Sequence, residues 1–529
     1  MSKGKIKAPE DGLVFPPDPK RPGERGSTFG NKGAWAAAIG AISPADAEKI
    51  QKEKDWRNNY TKYIIKQVEE SARSPQKAIA VAKGGLDYCY NNFEFVREGK
   101  VSTLQQALDT YTTPIFKTGF IKGTGEKPKG GYVLKVPYKG KELSGDALLA
   151  QLDRWYSYGT IEKTARDYIA EVVKNQQWLD LSDKYFCLLG AGSAMGPFLT
   201  LMALGANIIA IDLNRAPIWK RLISVARNSP GTITFPLLGD QDKMSDEELF
   251  EKAGCNLFTQ TPEIRTWVLS VYPDKHITVG AYAYLDGELH VKVSLAMDAI
   301  IRDMTTKRKA GAAYLCTPTD VHVITSDAAK AERDNYSSFG VATLFKYLPG
   351  MPPNFRKPVK TDDGKKEINY VNGIVDRQGP NYALAKRIQH WRAMVARTEG
   401  SIVSSNIAPS TSTASVTHNR LFAWAYGGMH HFKPMEVFAP ETSNAVMAAL
   451  LINDVRNPNS VAHPSVTLDN PLELFREGSF HGGVWRTAFP VNAIGTPSAI
   501  VYLATQPAVI AGLGVWAAWI GFLVVTAPK

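Results

Sequence analysis

The sequence predicts an α/β fold in which a parallel sheet is wrapped by helices. Three observations carry this prediction. From Lys184 onward, short apolar runs alternate with helical stretches, the pattern of strands joined by crossover helices. The first of these runs ends in a glycine-rich turn, "YFCLLGAGSAMGP". The next run, "NIIAIDLNR", ends in an acid. A mainly helical N-terminal region precedes this unit, and an apolar C-terminal helix follows it.

Residues 1–42 are rich in Pro, Gly and Lys ("PPDPKRPGERGS") and are expected to be disordered. Ser43 is the expected N-cap of a helix that opens with Pro44. Helical periodicity recurs to about Tyr111, "GTGEKPKGG" breaks it, "YVLKVPYKGKEL" reads as a short hairpin, and residues 144–175 are helical again. No chemistry is legible in this region, so residues 43–178 are expected to form a helical accessory domain. Residues 179–490 are the expected nucleotide-binding domain. Its strands are expected near 185–189, 207–211, 232–237, 276–283, 319–324 and 401–407, with an exposed insertion at about 336–378 that carries the Pro-rich, charged "LPGMPPNFRKPVKTDDGKK".

The 529 residues exceed one simple domain, and 44% apolar residues suffice for a real core. Four scattered cysteines with no CxxC argue against a disulfide framework or a zinc site. The histidines show no HxxxH or HExxH spacing, so no metal is expected. The net charge of +11 comes without a long basic run interleaved with aromatics, so nucleic acid is not the expected partner. An anionic membrane surface accounts for it as well. Residues 508–527, "AVIAGLGVWAAWIGFLVVTA", are apolar throughout. At about 1.5 Å per residue, such a helix spans about 30 Å, the hydrocarbon thickness. Residues 506–529 are therefore expected to be a membrane anchor, with the bulk of the chain on the cytoplasmic side. The alternative is a helix buried in the fold or in a homo-oligomer interface. Neither GxSxG nor GxxxxGK[ST] is present, which removes hydrolase-elbow and P-loop readings.

The turn after the first strand carries the strongest chemical signal. Gly190, Gly192 and Gly196 would let backbone N–H groups approach a pyrophosphate, as in a Rossmann-type doubly wound sheet. Asp212 follows Gly190 by 22 residues and can accept hydrogen bonds from an adenosine ribose. An acid there favours NAD, because it repels a 2′-phosphate, and Arg215 keeps NADP open. An S-adenosylmethionine enzyme usually carries an acid two residues before the first glycine, and that position is Leu188.

Further along, "GPNYALAKRIQHWRAM" places Tyr382 and Lys386 one helical turn apart. By itself this pair is also the rim of an ordinary amphipathic helix. Together with its neighbours it resembles the short-chain dehydrogenase/reductase family. Gly190 and Gly196 match the first and last glycines of T-G-x-x-x-G-I-G, with Leu189 for the Thr, Ala194 for the middle Gly and Met195 for the Ile. "ITFPLLGDQDKMSDEEL" is similar to the family's third strand, whose acid beside the adenine would be Asp240. "YALAK" matches Tyr-x-x-x-Lys, "IVSSNIAPSTST" resembles the strand and loop over the nicotinamide, and "GSFHGGVW" is similar to the final D-G-G. The resemblance covers roughly residues 184–490.

This resemblance implies Tyr382 as the proton-transfer residue, Lys386 as the cation that eases its ionisation and binds the nicotinamide ribose, and a Ser that holds the substrate oxygen. It further implies that Ser193, Met195 and Pro409 border the cofactor. The chain departs from the family at the Ser. The expected fifth strand, "DVHVIT", leads to Ser326, 56 residues before Tyr382, with Ser337 and Ser338 as rivals. The fourth-strand Asn-Asn-Ala-Gly is replaced by "TVGAYAYLDG", whose Tyr282, Tyr284 and Asp286 fall at the ligand-binding edge, and the helix after the turn is short. The expected function is an NAD(P)-dependent oxidoreductase acting on a carbonyl/alcohol pair of a lipophilic substrate. The alternatives are an S-adenosylmethionine-dependent methyltransferase and a non-catalytic membrane-anchored nucleotide-binding scaffold.

Overall fold

The computed structural model describes residues 10–338, 345–413, 416 and 418–506. Seven strands build its central sheet: β1 (Lys117–Lys122), β2 (Tyr185–Leu189), β3 (Asn207–Ile211), β4 (Thr232–Leu237), β5 (Ile277–Ala281), β6 (Gly311–Cys316) and β7 (Val403–Ile407). The order across the sheet is β7-β6-β5-β2-β3-β4-β1. All neighbours are parallel except β1, which runs antiparallel to β4 at one edge. This is an α/β protein whose six parallel strands have an order compatible with a Rossmann-type sheet. The order reverses between β2 and β5, the place where such sheets bind ligands.

Successive side chains of these strands point to opposite faces, and both faces are covered. Phe186 and Leu188 of β2 enter one core with the helices Lys163–Lys174, Ala216–Arg227 and Pro440–Arg456. Cys187 and Leu189 enter the other core. That second face is covered by helices, which are numbered along the chain as α1 (Ser27–Gly40), α2 (Pro75–Asn92), α3 (Glu288–Arg308) and α4 (Gly379–Thr398). Helices α3 and α4 lie on the sheet, and α1 and α2 pack on α4 from outside. Trp35 of α1 meets Trp391 of α4 edge-on at 5.7 Å, and a Cβ at Gly85 of α2 would fall 2.4 Å from the Trp391 ring.

Several expectations are corrected here. The segment expected to be disordered contains α1, because Trp35, Ala34, Ala38 and Ile39 bury against α2 and α4. The residues expected to form a separate accessory domain share the main core instead, and β1 joins the central sheet. The strand expected at 319–324 is the short ladder Val321–Val323 with Tyr370–Asn372, outside the central sheet. The sheet strand is β6, "GAAYLC", whose small alanines lack the β-branched signature that "VHVI" shows. The expected insertion is not wholly exposed: Met351, Asn354, Val359 and Val371 are buried. The helix Pro44–Lys52 and the hairpin Val136–Tyr138 with Lys141–Leu143 lie where the sequence places them. The segment 508–527 lies outside the described residues. Among the described residues, no helix is long and apolar enough to cross a membrane.

Candidate functional site

At the carboxyl edge of the sheet, around the switch between β2 and β5, lies a cleft of about 520 Å³. Four segments converge on it. Gly190, Gly192, Ser193 and Met195 come from the turn after β2, and Asp212 from the end of β3. Tyr382 and Lys386 come from α4, and Pro409 from the loop after β7. The chain thus brings together most of the residues its sequence nominates, from Gly190 to Pro409.

Each of these segments is held in place locally. Gly190 adopts φ +93°, and a Cβ there would lie 2.5 Å from the Ala283 backbone nitrogen, so the turn requires glycine. Asp212 accepts the Gly192 N–H at 2.6 Å and the Leu213 N–H at 2.8 Å. Burial pushes its carboxyl pKa up against the pull of these amides. Arg221 donates to the Gly192 carbonyl at 2.6 Å and places a cation at the turn. The helix that follows is only Phe198–Ala203, so Gly196 precedes it by two residues and stays outside the cleft. Any anion at this turn meets amides rather than a long helix dipole. Pro409 is positioned by the loop: Thr411 donates to its carbonyl at 2.9 Å and shares a hydroxyl bond with Ser443 at 2.7 Å. The "HGG" stretch packs beneath, since a Cβ at Gly482 would lie 2.9 Å from the Glu436 carbonyl oxygen and 3.4 Å from the Pro409 Cβ.

Tyr382 and Lys386 face the cleft from the first turns of α4. Burial pushes the Tyr382 phenol up in pKa, and the hydroxyls of Thr317 and Thr319 beside it pull in the other direction. Those two hydroxyls are 2.8 Å apart and follow β6 directly. Burial pushes Lys386 below the usual lysine range, and its Nζ donates to the Leu315 carbonyl at 3.3 Å and to Gln389 Oε1 at 3.4 Å. The Thr317–Thr319 loop is tied to α4 by a buried ion pair, Arg387 to Asp320 at 2.5 Å. His290, at the start of α3, stacks on the Tyr382 ring at 5.6 Å and is buried, with neither ring nitrogen partnered among the described residues. Burial and the nearby Lys386 charge lower its pKa to about 3, so it is neutral at physiological pH.

The nominated Ser326 is not at the site. It is exposed at the first position of the helix Ser326–Ser337, because β6, not "DVHVIT", delivers the loop that meets Tyr382. Ser337 and Ser338 are also exposed and outside the cleft. The hydroxyls in that place are Thr317 and Thr319, and reading "GAAYLC" as a strand would have pointed to the "TPT" after it. Asp240 is half-exposed, away from the cleft, and paired with Lys117 and Lys243. Arg215 is exposed outside the cleft at the start of the next helix. Tyr282 and Tyr284 line the cleft, and Tyr284 donates to Asp286 at 3.1 Å. His430 and His431 sit on a short turn, with His430 exposed.

No family model matches this chain. No curated protein matches it either.

Proposed function

We propose that the cleft binds a nicotinamide dinucleotide and that the chain is an oxidoreductase of the short-chain dehydrogenase/reductase type. One observation supports this above the others: a glycine turn, a strand-end acid, a Tyr–Lys helix and a hydroxyl pair meet in one cleft at the switch point of a parallel sheet. The residues fit the group. Gly190 and Gly192 leave room at the turn, and an ionised Asp212 that accepts two amides keeps lone pairs for a ribose hydroxyl. NAD is the favoured form, since Asp212 lines the cleft and Arg215 does not.

The bound nicotinamide would donate or accept a hydride. The chain's own groups would handle the proton. Tyr382, kept protonated by burial, donates to the carbonyl oxygen of the substrate in the reduction direction. Lys386, one turn on, stabilises the phenolate that results. Thr317 or Thr319 supplies the hydroxyl that holds the substrate oxygen, the role the sequence had assigned to Ser326. Leu257, Phe258, Leu285 and Tyr426 give the cleft an apolar wall suited to a lipophilic substrate.

Tyr382→Phe tests the reading. It removes the proton but keeps the ring, so carbonyl reduction is expected to fall by about 10²–10⁴-fold while dinucleotide affinity holds. Undiminished turnover would remove Tyr382 from this role. Dinucleotide binding without turnover in the parent chain would favour the scaffold.

A further inference from the structure

Among the described residues, an apolar face that adjoins the cleft is uncovered. Two helices form it, α5 (Arg420–Gly428) and α6 (Val491–Ala504). They pack with their backbones nearly touching: a Cβ at Gly428 would fall 1.9 Å from the Ser498 carbonyl oxygen, and one at Gly427 would fall 2.5 Å from the Tyr502 ring. Such closeness lets the pair hold together through small residues while its large apolar side chains point elsewhere. Leu421, Ile500 and Leu503 are exposed, Ile500 at 59%. Phe345 packs tilted against Phe432 at 5.3 Å, so the segment that carries exposed Tyr347 (87%) and Leu348 meets the residues that follow α5. Isolated exposed apolar residues are ordinary, but a contiguous group marks an interaction surface.

We infer that this face docks on an anionic lipid bilayer, with α5 and α6 lying at its surface. Two observations choose this occupant. The first is charge. No acidic residue occurs between Glu399 and Glu436, and none of either sign between Arg486 and Lys529, while Lys346, Arg420 and Lys433 flank the apolar group. Basic residues around an exposed Tyr and apolar side chains suit the headgroup layer. The second is the path of the chain. It leaves α6 at Ala504 and reaches the apolar run 508–527 within four residues. A run of that length suits the hydrocarbon core, which would put the end of α6 at the bilayer. Helix α5 also contributes Tyr426 to the cleft wall, so docking there would let a lipophilic substrate pass from the bilayer to Tyr382. The substrate route rests on the function proposed above; the docking does not.

The full-length chain supports a direct test, because its four native cysteines are buried and a new surface thiol can be labelled alone. Tyr347→Cys and Ile500→Cys, each carrying an environment-sensitive fluorophore, are mixed with phosphatidylcholine/phosphatidylserine vesicles that bear acyl-chain nitroxides. Val101→Cys, on a strand of the N-terminal region, is the control. The expected result is loss of fluorescence at 347 and 500 and none at 101. Vesicle binding without quenching at 347 and 500 would overturn the proposal, since residues 508–527 would then hold the chain alone. Shielding of either label from aqueous iodide without lipid quenching would also overturn it, because that segment or a second copy then covers the face. A chain that does not sediment with the vesicles overturns it outright. Cofactor is absent throughout, so this failure and a failure of dinucleotide binding remain distinct.

Discussion

The Asp212 carboxylate accepts the Gly192 backbone N–H at 2.6 Å, so the acid that closes β3 also shapes the turn after β2. Asp212→Ala removes this bond and the one from Leu213 together. Dinucleotide affinity is expected to fall by about 10–100-fold, equivalent to one or two charge-assisted hydrogen bonds. Asp212→Asn keeps one acceptor oxygen and should fall between the two. Calorimetric titration of the three proteins checks the order, and equal affinities would detach the acid from the cofactor.

Gly190→Ala tests the turn itself. The backbone there is left-handed, and the added methyl would press on the Ala283 backbone, which cannot yield like a side chain. A loss of about 1–3 kcal/mol is expected from strain of this kind. Urea unfolding monitored by tryptophan fluorescence would read it as a lower midpoint.

Much of this architecture was legible in the chain. β2, β3, β4 and β5 announce themselves because each is a mostly apolar run rich in β-branched or aromatic residues, as parallel strands buried on both faces must be, whereas β7, "VSSNI", carries Ser404, Ser405 and Asn406 at its centre and is legible from its place after the Tyr–Lys helix. β6 does not, because Ala312 and Ala313, which bury into opposite cores, carry no β-branched signature. The stronger strand signal of "DVHVIT" points to Ser326 and hides Thr317 and Thr319, which follow β6. The N-terminal helices were readable as helices but not as part of this core. Their tie to it is long-range, and no local pattern encodes that Tyr90 will meet Asp298.

That contact yields a stability prediction. Asp298 on α3 accepts a two-pronged bond from Arg392 of α4, at 2.8 and 3.0 Å, and a third from Tyr90 of α2 at 2.7 Å. All three residues are buried. Asp298→Ala leaves Arg392 charged and unpaired, at an expected loss of about 3–5 kcal/mol. Because the N-terminal helices share this core, thermal unfolding of the parent is expected to be one transition for both regions. Two separated transitions would restore an independent N-terminal domain.

Glu332 gives a pH-dependent prediction. It is buried, its Oε1 has no partner among the described residues, and burial raises its carboxyl to about 8. The unfolded chain ionises this group near its ordinary value of about 4.3, whereas the folded chain holds it neutral to about 8. Stability from the neutral group is therefore complete below the unfolded value. It is lost as pH rises toward 8 and levels off above it. Glu332→Gln mimics the neutral form, so its melting temperature should gain on the parent between pH 5 and about 8. A difference that stays constant across that range would show that Glu332 is ionised in the fold.

The central claim is that the cleft between the glycine turn and Tyr382 holds a nicotinamide dinucleotide. Titration of the full-length chain in detergent with NADH, NADPH and S-adenosylmethionine tests it most directly, read by nicotinamide fluorescence and thermal shift. The account predicts micromolar binding of NADH, tighter than NADPH, and lost in Gly190→Ala. Binding of S-adenosylmethionine alone, or of none of the three, would contradict it.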